Sequence, residues 1–170
     1  SFLDDIYHGQ HILKEGLIPA DQVIAHEAFQ PHMLNHHLKG KVYSQISGID
    51  IIRDGQGDFF VLEDNLRTPS GVSYMIESRK ISQKLMPDLC ISNNLQGIEQ
   101  YPTLLRAILE ENAYVDKPLI VVLTPGRFNS AYYEHSFLAR EMDVPLVTSR
   151  DLFVENDRVF VKTIRGRQQV

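Results

Sequence analysis

Cysteine is almost missing from these 170 residues: Cys90 stands alone, so no disulfide can close within the chain. Its context, Asp88-Leu89-Cys90-Ile91, predicts a buried structural thiol rather than a nucleophile, and a reducing compartment. Long apolar runs are missing too. The longest, Pro118 to Thr124, falls far short of the roughly 18 residues a membrane span needs, and no signal-peptide pattern follows Ser1. The expectation is a cytoplasmic protein without a membrane partner. Clusters of Lys and Arg are absent, and the net charge is −5 with a pI of about 5.8, so a nucleic-acid partner is not expected. A small phosphate-bearing ligand stays compatible with that balance. Neither an internal repeat nor a low-complexity tract occurs.

What is present describes a globular chain. Hydrophobic residues make up 43% and charged residues 23%, which excludes disordered and fibrous classes, and the length suits one ordinary domain or two small lobes. The sequence opens inside a helical pattern and closes after a strand-like run. A piece of a longer polypeptide is expected, with the remainder of that polypeptide as its partner.

Phe2, Leu3, Ile6, Tyr7 and Leu13 predict a helix over 1–15, stopped at Gly16. Two short helical pieces, 19–29 and 31–38, are separated by Pro31. Runs 42–52 and 58–62 are β-rich and flank Asp54-Gly55-Gln56-Gly57, which predicts an antiparallel hairpin. Thr68 is suited to cap a helix over about 71–86, with Pro69 at its first position, and 101–112 forms another amphipathic helix. Leu119–Leu123 reads as a buried strand, Asn129-Ser130 as the cap of a helix reaching Met142, and Val144–Thr148 as a second strand. This is a βαβ unit, for which parallel strands and a right-handed crossover are expected. A final hairpin joins 152–154 to 159–161.

If the first hairpin closes symmetrically about Gln56-Gly57, Asp50 faces Glu63 and Gly48 faces Asn65. Side chains alternate along a strand, so Gly48, Asp50 and Ile52 share a face with Val61, Glu63 and Asn65, and Ile49, Ile51, Phe60 and Leu62 share the other. Opposed carboxylates with Cβ atoms about 5 Å apart repel unless a cation lies between them. Asn65 adds a neutral oxygen, giving a hard donor set with room for water and phosphate, as Mg2+ prefers. The same residues also fit solvated side chains on an exposed hairpin face, and the pattern alone leaves both readings open.

Ser47-Gly48-Ile49-Asp50, followed by Val61-Leu62-Glu63-Asp64-Asn65-Leu66-Arg67-Thr68-Pro69-Ser70-Gly71-Val72-Ser73-Tyr74, resembles the signature of circularly permuted ATP-grasp proteins, relatives of glutathionylspermidine synthetase. Val122-Leu123-Thr124-Pro125-Gly126, with Asn129-Ser130-Ala131-Tyr132-Tyr133-Glu134-His135, is similar to the pre-ATP-grasp portion of the same family. The resemblance implies an α/β protein: a partial ATP-grasp lobe over 1–100, with its hairpin and helical N-terminal part, followed by a Rossmann-like pre-ATP-grasp unit over 101–170. It implies ATP and Mg2+ as cofactors and a ligase that activates a carboxylate as an acyl phosphate and passes it to an amine. Asp50, Glu63 and Asn65 are the implied magnesium ligands. The synthetase has an arginine where this chain has Gly48, so Arg67, or else Arg53, is expected to meet the phosphates. The alternatives are a non-catalytic binding module and a metal-dependent phosphohydrolase.

Backbone N–H groups from Ser70 to Ser73, at a helix start, are placed to receive a phosphate, though a plain helix cap has the same pattern. Asn129 and Glu134, with His135, lie on the side of the βαβ unit where such sheets bind ligands; the rival reading is helix surface. His32 and His36 would share a helical face and could hold a transition metal, but the Glu of a His-Glu-x-x-His pattern is missing.

Overall fold

The computed structural model describes residues 2–67 and 69–170, with Lys39 described by its backbone alone. The expected helical start at Ser1 and the Thr68 cap lie outside the described residues. The chain divides into two compact units, Ser1–Leu66 and Arg67–Val170, and mixes helices with strands throughout.

In the first unit the expected 1–15 helix is broken into α1 (Phe2–Tyr7) and α2 (His11–Lys14). The cause is Asp5. Its carboxylate accepts the backbone N–H of His11 at 2.9 Å and of Ile12 at 3.0 Å, capping α2, while Gln10 takes a left-handed conformation with φ 52°. These N–H groups, Ile12 first and then His11, hold the Asp5 carboxyl down at about 2. The contribution of this cap to stability is therefore present above the ordinary carboxylate range and is lost as pH falls through about 2. The Ile12 amide resonance should report the Asp5 titration in acid with a midpoint near 2; a midpoint near 4 would remove Asp5 from the cap.

Residues 19–38 contain α3 (Ala20–Ile24) and a 3-10 turn at Pro31–Met33, shorter than expected. The Tyr43 hydroxyl donates to Asp4 at 3.0 Å and ties the segment before the hairpin to α1. The hairpin is β1 (Gly48–Arg53) with β2 (Phe59–Asn65), so residues 42–47 are irregular rather than strand. Both of its strands are exposed, and Ile6 and Leu13 are the buried apolar residues among those described in this unit.

The second unit is centred on α7 (Tyr132–Glu141), which packs against α4 (Val72–Leu85), α6 (Tyr101–Asn112) and the parallel pair β3 (Val122–Leu123) and β4 (Leu146–Val147). Phe137, Ala139, Met142, Ile76, Leu105, Val147 and Val161 are buried apolar side chains of this unit. Arg106 donates to the carbonyl of Met142 at 2.8 Å and closes the C-terminal end of α7. The expected buried strand 119–123 is corrected: β3 has two residues, and the run from Leu119 to Val122 is half-buried, because only β4 pairs with it among the described residues. A short helix α5 (Pro87–Ser92) carries Cys90, which is half-buried rather than buried. β5 (Leu152–Glu155), β6 (Arg158–Thr163) and β7 (Gly166–Gln169) form an antiparallel sheet, one strand more than the predicted hairpin. Gly166-Arg167-Gln168-Gln169 has no apolar alternation, so β7 leaves no sequence signal.

Candidate functional site

The turn of the first hairpin is built on one carboxylate. Asp54 Oδ1 accepts the N–H groups of Gln56, Gly57 and Asp58 at 2.9, 2.8 and 2.9 Å, and these bonds lower its pKa. Gly57 sits at φ 101°, and a Cβ there would lie 3.1 Å from the Arg53 guanidinium. Arg53 donates to the Gly57 carbonyl and lies over the Phe59 ring. Its Nε–H is thereby engaged in the turn.

From this turn the strands pair Arg53 with Phe59, Ile52 with Phe60 and Ile51 with Val61, one residue out of the symmetric register. A bulge between Asp50 and Ile51 then absorbs Leu62, and beyond it Asp50 faces Glu63 and Gly48 faces Asn65, as expected. The bulge corrects the predicted faces. Phe60, not Val61, shares the side of Asp50 and Ile52, and Asp64 lies opposite Ile49 on the other side, so the predicted division into an acidic and an apolar face does not hold.

At that end the three expected ligands come together. The Asn65 Nδ2 lies 3.5 Å from Asp50 Oδ1 and 3.3 Å from Glu63 Oε1, donating to both carboxylates. One amide thus partly offsets two facing negative charges, a role a cation would take over more completely. All three side chains are exposed, which leaves room for water or phosphate oxygens around them. The donor set of two carboxylates and one amide oxygen fits Mg2+, with the Asn65 amide turned to present Oδ1. No group of three His, Cys, Asp or Glu side chains gathers among the described residues, and His32 and His36 lose their helical relation because the 3-10 turn ends at Met33.

In the second unit Arg67 and Ser70 are exposed. α4 begins at Val72 with Gly71 as its N-cap at φ 101°, so Pro69 is not its first residue. The reason lies in α7. The Glu134 carboxylate accepts the Gly71 N–H and the Ser73 hydroxyl, each at 2.7 Å, with Ser73 fully buried and Glu134 7% exposed. One of the backbone donors expected to face a phosphate, the Gly71 N–H, is therefore engaged inside the chain, and Glu134 is not helix surface. Burial and then the Glu134 charge push the Tyr101 phenol up. Asn129 Oδ1 accepts the Ala131 N–H at 2.9 Å in the turn before α7, whose N-cap is Ala131. His135 Nδ1 lies 2.9 Å from the Thr124 hydroxyl, which also accepts the Gly126 N–H at 3.1 Å and shapes the turn after β3. Sequence reasoning missed the Ser73–Glu134 and Thr124–His135 pairs, since each joins residues whose proximity depends on how α7 packs.

A chain with this hairpin, these two carboxylates with their amide, and this βαβ unit belongs to a recognised family: all of residues 1–170 match the one described as a circularly permuted ATPgrasp. An uncharacterized protein of Mycobacterium tuberculosis (strain ATCC 25618 / H37Rv) is 44% identical, over 99% of this chain and 31% of its own length. An uncharacterized protein of Synechocystis sp. is 43% identical, over 99% and 36%. A Frankia casuarinae protein named "Putative glutamate--cysteine ligase 2-2" is 35% identical, over 99% and 20%. The chain spans about a third or less of the curated relatives it matches.

Proposed function

We propose that these residues are the metal-binding part of an ATP- and Mg2+-dependent carboxylate–amine ligase that works through an acyl phosphate. The observation that carries the reading is the convergence of Asp50, Glu63 and Asn65 at one end of the hairpin, in a chain of the circularly permuted ATP-grasp family. The ligase name carried by the Frankia relative supports the reaction class. Asp50, Glu63 and Asn65 would hold the ion, which supplies charge neutralisation at the nucleotide phosphates. Arg67, two residues beyond Asn65 in the chain and exposed, would present its planar fork to phosphate oxygens. Residues 1–100 would be the ATP-grasp lobe and 101–170 the start of a Rossmann-like pre-ATP-grasp unit, with ligand contacts near Ser70 and Asn129.

A product assay on a full-length polypeptide carrying these residues tests the reaction. ADP should form only when both a carboxylate and an amine are supplied. ADP release without an amine would mark a phosphohydrolase, and nucleotide binding without turnover a binding module. Arg67→Ala should weaken MgATP binding by about 1–3 kcal/mol, the range of a charge-assisted hydrogen bond. Unchanged affinity by calorimetry would take Arg67 out of the site.

A further inference from the structure

A glutamate at the third position of a helix ordinarily reaches back to the N–H of its own N-cap residue. Glu134 holds that position in α7, after Ala131, Tyr132 and Tyr133, yet it reaches the N-cap of a different helix. α4 has no side-chain cap of its own, and Gly71 offers its N–H from a left-handed conformation directly to Glu134. The neighbouring residues reinforce the join: the Ser73 hydroxyl donates to the same carboxylate oxygen, and Tyr74 stacks on Tyr133 with ring centroids 5.2 Å apart. The start of α4, which bears partial positive charge, is thus closed by one buried carboxylate carried on the first turn of α7. A phosphate brought to Gly71 and Ser73 would have to displace it.

We infer that Glu134 is a positioning residue, a cap that α7 supplies to α4 and that fixes the start of α4, and not a group that meets the nucleotide. Only the segment 66–70 separates the Gly71 anchor from Asn65, and that segment carries Arg67. Fixing Gly71 therefore limits where Arg67 can go. This last step rests on the function proposed above; the cap itself does not.

The test uses the full-length polypeptide and two readouts. Backbone amide exchange at Gly71, whose N–H the Glu134 carboxylate accepts, should rise about tenfold or more in Glu134→Ala, the scale of one lost hydrogen bond. Ser73→Ala, a milder change should Glu134→Ala fail to fold, should raise it less. Glu134→Gln keeps an oxygen able to accept both bonds and should restore protection at Gly71. Protection unchanged in Glu134→Ala would overturn the cap, and this arm decides even if the wild type binds no MgATP, an outcome that would sink the proposed function alone. In the second readout, Glu134→Ala should weaken MgATP binding, Glu134→Gln should restore it, and Glu134→Ala should have no further effect in an Arg67→Ala background. Losses that add in the double variant, or a Glu134→Gln variant that keeps protection yet loses affinity, would mean that the carboxylate touches the ligand.

Discussion

Replacing Asp50 by Asn together with Glu63 by Gln is expected to abolish magnesium-dependent nucleotide binding in a full-length polypeptide, a loss of about a hundredfold or more. The two carboxylates supply the negative charge of the proposed site, and Asn65 adds only a neutral oxygen. With both neutralised, the remaining amides keep the shape of the trio but lose the Coulomb attraction that holds a hard divalent cation. Both side chains are exposed, and their facing charges repel in the absence of an ion. The double variant should therefore fold at least as well as the wild type, which separates a binding defect from a folding one. Calorimetry with MgATP and a thermal melt on the same samples check both halves. Retained affinity with an unchanged melt would remove Asp50 and Glu63 from the site.

The second large effect concerns the 170 residues taken alone, which should fold but release no ADP from ATP, Mg2+ and a broad panel of amino acids and polyamines. Phosphoryl transfer needs positive side chains around the phosphates as well as metal. Four lysines have partners within the chain: Lys14 donates to the Gly9 carbonyl, Lys41 pairs with Asp4, Lys80 with Glu77 and Glu141, and Lys162 donates to the Arg150 carbonyl. The curated relatives extend well beyond the matched segment, which leaves them length for a nucleotide clamp. Even one turnover per minute, lost on Asp50→Asn, would show that these residues suffice.

The pairing of Asp50 with Glu63 was legible because Asp54-Gly55-Gln56-Gly57 marks a turn and the flanking runs are β-rich. It was reached, however, through two offsets that cancel. Asp54 captures three successive N–H groups and moves the register near the turn by one residue; the bulge at Asp50/Ile51 moves it back. Neither step has a hydrophobic signature, and the placement of Val61 and Phe60 was accordingly reversed. Helix α6 was read with its limits intact, since its apolar stripe and Pro102 are local signals. The 1–15 helix failed because Asp5, a residue ordinary inside a helix, instead caps the next one. Glu134 was unreadable for the same kind of reason: which helix an N-terminal glutamate caps is decided by packing, not by the spacing around it.

The most direct measurement is a crystal structure of the full-length polypeptide grown with Mn2+ and a non-hydrolysable ATP analogue, with anomalous data to locate the metal. The account predicts a peak within about 2.0–2.3 Å of oxygens from Asp50, Glu63 and Asn65, the last with its amide turned to present Oδ1, and phosphate oxygens completing the shell. A metal–nucleotide peak held by other residues, with the Asn65 amide still donating to both carboxylates, would contradict it.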